Sequence, residues 1–127
     1  MRLLGHVSDA DLRALYTGAV AFLFPSEDEG FGRSPLEALA CGTRVAVAPY
    51  AAVTEVLGPS ADTVPRRVEA WVAALERLAS EPEDERRGRI EAGRSWASDF
   101  TWDSAVDELE SLCRQVALGG VGAGVAG

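Results

Sequence analysis

Residues 22–47 read FLFPSEDEGFGRSPLEALACGTRVAV, and this stretch decides the fold. An apolar run ends at Pro25, and an acidic loop punctuated by glycine follows it. Ser34 then opens a helix of small residues that ends at Gly42, and a second apolar run begins at Val45. A strand, a loop, a helix and a second strand form the unit that places ligands at the carboxyl ends of parallel strands.

The rest of the chain extends this pattern. Continuous apolar runs predict strands over residues 19–24 and 44–48, with the tail of a strand at 2–4 and a brief one at 63–64. Helical spacing and capping residues predict helices over residues 9–18, 51–57, 67–78 and 83–96, and a last one capped by Thr101. We therefore predict an α/β fold: a partial Rossmann-like parallel sheet, the second half of such a domain, followed by C-terminal helices.

The C-terminal part divides into a helix and a tail. An apolar stripe on the last helix is expected to be buried; it consists of Ala105, Leu109, Leu112, Cys113 and Val116. Residues 119–127 contain only Gly, Val and Ala and are predicted to be disordered. The expected organisation is one domain over residues 1–118, followed by this tail.

Composition limits the function classes. The chain has 127 residues, 47% of them hydrophobic and 25% charged, which is typical of one globular domain. Its net charge of −8 argues against a nucleic-acid partner, and the absence of lysine excludes a lysine Schiff base. Its two cysteines, read as buried thiols, favour a reducing compartment. With no apolar segment long enough for a membrane span or signal peptide, we expect a cytoplasmic protein.

Two glutamates in the central stretch are candidates for ligand binding. Glu29 lies in the loop after the first strand, and Glu37 lies in the first turn of the helix that Ser34 would cap. The loop reverses direction between them, so both carboxylates can face one crevice. Gly30 and Gly32 allow a ligand to approach the backbone closely, and free amides at the helix start can bind an anion. Such a site suits a sugar attached to a nucleoside diphosphate.

A purely structural alternative fits the same residues. Ser34-x-x-Glu37 is an ordinary capping box with Pro35 at the favoured first position, and Glu37 would then serve only the backbone. Glu29 would be one more solvated acid. On spacing alone the structural alternative is the better interpretation.

An ordered pattern from Pro25 to Val45 favours the ligand site: PSxxEGFGxxxxEAxAxGTxV. This pattern resembles the donor-site motif of retaining GT-B glycosyltransferases, most closely glycosyltransferase family 4 (group 1). The likeness extends to LGHVSD at residues 4–9, to TEV at 54–56 followed by Gly58, and to FTW at 100–102. The resemblance covers roughly residues 3–117 and implies the C-terminal portion of a GT-B donor domain.

The resemblance implies a role for each matching residue. Glu29 would bind donor-sugar hydroxyls near the reacting carbon, which makes it the catalytic-centre candidate, although not a nucleophile. Gly30, Phe31 and Gly32 would contact the sugar and diphosphate through backbone amides. Glu37 would hold the ribose hydroxyls. The implied reaction transfers a sugar from a nucleotide-sugar to an unknown acceptor with retention of configuration, and neither a metal nor another cofactor is expected.

Arg33 departs from the family pattern and puts a guanidinium beside the donor site. It is a candidate for the diphosphate, while pairing with Glu27 or Asp28 is the alternative. Asp9-Ala10-Asp11 could imitate a metal-binding acid pair, but these residues begin a helix and complete its cap. The lone histidine, His6, is interpreted as a loop or packing residue near the cleft.

The family's acceptor domain and the front of its donor domain have no counterpart in this sequence. The resemblance therefore implies an N-terminal domain or partner chain that completes the site, and we expect the isolated chain to have little transferase activity. The alternative function is a non-catalytic sugar-nucleotide-binding or interaction module. An unrelated α/β nucleotide-binding domain is the third hypothesis, and for that one the two glutamates would not matter.

Overall fold

The computed structural model describes residues 1–27 and 30–119. The protein divides into two compact units, one spanning Met1–Ala97 and one beginning at Ser98. In chain order the elements are α1 (Asp9–Gly18), β1 (Phe22–Phe24), α2 (Arg33–Ala40), β2 (Val45–Val47), α3 (Ala51–Leu57), a 3₁₀ turn (Gly58–Ser60), β3 (Asp62–Thr63), α4 (Val68–Ala79), α5 (Glu83–Ser98) and α6 (Trp102–Gly119). No helix in this part of the chain is both long and apolar enough to cross a bilayer. The tail predicted to be disordered lies, from residue 120 on, outside the described residues.

The three strands form one parallel sheet in the order β1, β2, β3. Phe22 and Phe24 lie opposite Val45 and Val47, and Val47 lies in turn opposite Thr63. Helix α2 makes the crossover from β1 to β2, as parallel strands require. The prediction of an α/β fold with a partial Rossmann-like sheet is confirmed.

The strands are shorter than the apolar runs that predicted them. The run at 19–24 pairs only from Phe22, and the run at 44–48 is a strand only over Val45–Val47. An apolar run marks burial, and burial extends past the end of β2, because Ala48 is fully buried. The strand tail predicted at residues 2–4 is wrong: these residues are irregular and exposed, and the described sheet ends at β1. A strand needs a neighbour to take its backbone hydrogen bonds.

Both faces of the sheet are covered, because successive side chains of a strand point to opposite faces. One face packs against α1, α2, α3 and the end of α5 through a buried cluster of Tyr16, Ala38, Leu39, Val45, Val47, Val53, Val56, Leu57 and Ala97. The other face packs against α4 through Ala46, Val64, Ala74 and Leu78. Strand β1 contributes Phe22 and Phe24 to the first face and Leu23 to the second. The helices therefore hold the strand ends in fixed positions.

A buried arginine closes the amino end of the sheet. Arg44 precedes β2 and is only 3% exposed. Its Nε donates to Oε2 of Glu81 at 3.0 Å, and its Nη2 donates to Oδ2 of Asp62 at 3.1 Å. Arg77 pairs with the same aspartate and Arg89 with the same glutamate. This network ties the junction between α4 and α5 to the edge opposite the candidate site.

Helix α6 corrects the prediction of a buried stripe. Val106, Leu109, Leu112 and Val116 are all exposed, and so is Cys113. The spacing is amphipathic, but α6 is the one helix of its unit within the described residues, so that unit offers no second element to cover it. The prediction of two buried thiols is accordingly wrong for Cys113, while Cys41 is half-buried.

Candidate functional site

The candidate site lies at the carboxyl ends of β1 and β2. The loop after β1 leads through Gly30 and Phe31, both exposed, to Gly32, which is buried. Glu29, the principal sequence candidate, and its neighbour Asp28 lie outside the described residues. The described part of the site consists of the residues that follow Asp28 and Glu29.

Gly32, and not Ser34, is the N-cap of α2. Gly32 is the residue before the helix, with φ of 84°, and its carbonyl accepts from the Leu36 amide at 3.3 Å. Only glycine adopts this left-handed backbone readily, so the chain turns into the helix two residues earlier than the capping box requires. Ser34 lies inside the first turn, and the helix has no side-chain cap. The capping-box alternative is therefore wrong, and the side chain of Glu37 has another partner.

That partner is Arg33. The Arg33 Nε donates to Oε1 of Glu37 at 2.8 Å, one helical turn apart on α2. Their side chains are 83% and 38% exposed, so the pair sits at the surface where water screens it. From sequence, the expected partner of Arg33 was either a diphosphate or one of the loop acids Glu27 and Asp28. The observed partner, Glu37, is neither of these. Arg33 and Glu37 are nevertheless brought together next to the Gly32 turn.

Both side chains line a groove between α1 and α2. The groove has a volume of about 320 Å³ and is lined by Asp9, Leu12, Arg13, Tyr16, Arg33, Glu37, Ala40 and Cys41. Burial raises the pKa of the Tyr16 phenol, and the Glu37 carboxylate raises it further, while a hydrogen bond with Ser34 opposes this. Tyr16 therefore remains a neutral phenol at physiological pH. The groove offers a carboxylate acceptor, a guanidinium donor and an apolar wall.

Ser8 caps α1, and Asp11 is its partner. The Ser8 hydroxyl accepts from the Asp11 amide at 3.2 Å and donates to the Asp11 carboxylate at 2.7 Å. This confirms the predicted cap. Among the described residues no group of three His, Cys, Asp or Glu side chains could hold a metal ion. His6 lies exposed in a bend before the helix.

Two further residues at the same edge were not among the site candidates from sequence. Arg66, after β3, donates from Nη2 to the Glu27 carbonyl at 2.6 Å and to the Pro49 carbonyl at 3.3 Å. It therefore joins the loops that follow all three strands. The buried hydroxyl of Tyr50 lies against Gly32, 3.4 Å from where a Cβ would be. The signal was available, since the carboxyl ends of parallel strands meet at one edge and Arg66 follows the third strand.

Comparison with known proteins shows what most of the chain is similar to. The family of glycosyl transferases group 1 matches residues 1–96. The O-antigen chain mannosyltransferase B of Escherichia coli is 36% identical over 110 residues, which cover 85% of this chain and 28% of that protein. A D-inositol 3-phosphate glycosyltransferase of Saccharomonospora viridis is 37% identical over 123 residues, covering 90% and 27%. A GDP-mannose-dependent alpha-(1-6)-phosphatidylinositol dimannoside mannosyltransferase of Mycobacterium tuberculosis is 37% identical over 107 residues, covering 83% and 27%. The chain spans about a quarter of the length of these curated relatives.

Proposed function

The chain belongs to the group 1 glycosyl transferases, and on that premise we propose that it is the donor-binding portion of a retaining GT-B glycosyltransferase. It would bind a nucleotide-sugar and contribute to transfer of the sugar to an acceptor hydroxyl. The observation that carries the proposal is the position of Glu37: half-exposed in a groove beside the Gly32 turn, with its side chain unused by the helix cap. A carboxylate placed in this way can accept two ribose hydroxyls.

Each residue has a role in the proposed site. Glu37 binds the ribose, and the backbone of Gly30, Phe31 and Gly32 binds the sugar and diphosphate. Glu29 binds sugar hydroxyls near the reacting carbon; this role comes from the sequence pattern, because Glu29 lies outside the described residues. Arg33 supplies positive charge for the diphosphate without a metal ion.

The proposed reaction breaks the bond from the anomeric carbon to a diphosphate oxygen. The diphosphate leaves with the electron pair, the acceptor oxygen bonds to the anomeric carbon, and the hydroxyl proton passes to the diphosphate or to solvent. Charge develops on the leaving diphosphate, so preorganised positive charge lowers the barrier. In the proposed site, Arg33 supplies this positive charge.

The test is calorimetric titration of the whole chain with UDP, GDP and ADP and their sugar conjugates. Glu37→Gln should weaken binding about tenfold or more, because the ribose loses a charged acceptor. Glu91→Gln, a change of an exposed glutamate on α5, is the matched control and should bind like the wild type. A wild-type chain without affinity for these ligands, or equal affinities of the two variants, would refute the proposal.

A second candidate is a sugar-nucleotide-binding module without turnover. The observation that favours it is that Arg33, the cation assigned to the diphosphate, donates instead to Glu37. The two candidate functions share the binding site. They are distinguished by whether the donor is consumed when an acceptor and an N-terminal partner are present.

A further inference from the structure

The contact between Arg33 and Glu37 is a weak one. The Arg33 Nε to Glu37 Oε1 distance is 2.8 Å, but the side chains are 83% and 38% exposed. Exposed ion pairs of this kind shift an equilibrium by at most about fivefold, because water screens the charges and two long side chains lose freedom. Arg33 is therefore held on Glu37 by an interaction that a ligand can replace at little cost.

The proposed ribose site and this ion pair use the same carboxylate. In the free chain Oε1 of Glu37 accepts from Arg33. A ribose hydroxyl that donates to this oxygen displaces the guanidinium. Arg33 is the residue directly after Gly32, so a displaced guanidinium remains beside the turn to which the diphosphate is assigned.

We propose that Arg33 is a diphosphate-binding residue that stays on Glu37 until the donor's ribose displaces it. This inference rests on the proposed function, which assigns the ribose to Glu37 and the diphosphate to the neighbouring turn. A guanidinium binds phosphate through two parallel hydrogen bonds, and such charge-assisted bonds are stronger than an exposed carboxylate pair. The guanidinium therefore moves from Glu37 to phosphate only when ribose and phosphate belong to one ligand, while a nucleoside displaces it from Glu37 without offering it a phosphate.

Displacement of Arg33 from Glu37 predicts that one substitution, Arg33→Met, changes the affinities for two ligands in different ways. Arg33→Met should weaken binding of the best nucleoside diphosphate about tenfold, because a phosphate contact is lost. The same variant should bind the corresponding nucleoside as well as the wild type or up to about fivefold more tightly, because Glu37 is no longer occupied. Arg87→Met, which removes an exposed pair with Asp84 on α5, is the matched control and should leave both affinities unchanged.

A second measurement follows the ion pair without depending on affinity. In the wild-type chain the Arg33 side-chain Nε–H should exchange with solvent more slowly than in Glu37→Ala, as read by nuclear magnetic resonance. Saturating nucleoside should speed up hydrogen exchange of the Arg33 Nε–H with solvent, and saturating nucleoside diphosphate should slow it again. Equal exchange in the wild type and in Glu37→Ala would overturn the inference.

The affinities separate failure of this inference from failure of the proposed function. If Arg33→Met loses nucleoside and nucleoside diphosphate affinity by the same factor, Arg33 only supports Glu37 and the exchange is refuted. If Glu37→Gln weakens binding while Arg33→Met does not, this inference alone falls. If the wild-type chain binds no nucleoside diphosphate, both fall.

Discussion

At the scale of single residues, Gly32 sets where α2 begins and which way its first turn faces. Its φ of 84° belongs to the left-handed region, and a Cβ there would lie 3.4 Å from the Tyr50 hydroxyl and 3.5 Å from a methyl group of Val53. These are ordinary contact distances, so space is not the obstacle. The backbone conformation itself favours glycine.

Gly32→Ala should therefore lower the free energy of unfolding by about 1–2 kcal/mol, the cost of a left-handed residue with a side chain. Gly88→Ala is the control, since Gly88 lies in the interior of α5 with nothing within 4 Å of an added Cβ. It should raise the free energy of unfolding by about 1 kcal/mol. Urea denaturation measures both, and a Gly32→Ala variant as stable as the wild type would show that the turn relaxes.

Arg44 is the residue on whose charge the amino end of the sheet depends. Arg44→Met should lower the free energy of unfolding by about 3 kcal/mol or more, because it leaves Glu81, which is 6% exposed, without its bidentate partner. Arg87→Met breaks an exposed pair and should cost less than about 1 kcal/mol. Similar losses in the two variants would contradict the importance of burial.

What the sequence could say about single residues depended on distance along the chain. The hydrogen bond by which Ser8 caps α1 reaches the Asp11 amide within one turn, and this cap was predicted correctly. The start of α2 was misplaced, because Ser34 and Gly32 both fit a helix start and local pattern does not rank them. The bond from Arg44 to Glu81 joins residues 37 apart, a pairing that only the fold creates.

At the scale of elements, polar contacts as well as the buried Ala97 attach α5 to the helices that cover the sheet. The Trp96 Nε1 donates to the Val56 carbonyl at 2.8 Å, and Arg94 donates from Nη2 to the Cys41 carbonyl at 3.2 Å. Val56 lies in α3 and Cys41 follows α2, so both acceptors are carbonyls near helix ends. Such carbonyls have no partner within their own helix.

Trp96→Phe should lower the free energy of unfolding by about 1 kcal/mol, because the ring stays and one hydrogen bond is lost. Trp96→Ala should lower it by about 3 kcal/mol, because the packing against Gly58 is lost as well. The difference between the two variants in urea denaturation separates bonding from packing. Equal losses would mean that the indole N–H carries the whole interaction.

Elements were predictable where their own residues decide them. Helix α3 has the predicted bounds, and α4 begins one residue later than predicted, because amphipathic spacing and flanking turns mark both. Strand lengths were overestimated, since hydrogen-bond pairing depends on the neighbouring strand. The apolar stripe of α6 was predictable from its spacing. Its exposure was not, because burial depends on what packs against the helix.

At the scale of the whole molecule, the proposed reaction needs both a donor side and an acceptor side, and the described groove supplies residues for the donor side. The groove supplies Glu37 and Arg33 on one helix, and both belong to the proposed donor side. A transferase also needs a place for the acceptor and enough positive charge for a leaving diphosphate. The chain covers about a quarter of its relatives, and the proposal assigns these remaining tasks to residues outside it.

The isolated chain should therefore bind a nucleoside diphosphate without measurable sugar transfer, because binding needs one side of the site and catalysis needs both. Turnover should appear when the chain is mixed with the N-terminal three quarters of a relative such as the Escherichia coli mannosyltransferase, assayed by release of nucleoside diphosphate from the donor. The restored rate should fall at least about tenfold in a mixture that carries Glu37→Gln, while Glu91→Gln should leave it unchanged. Normal transfer by the chain alone would contradict the division of tasks, because one helix and its preceding turn would then suffice for the whole reaction.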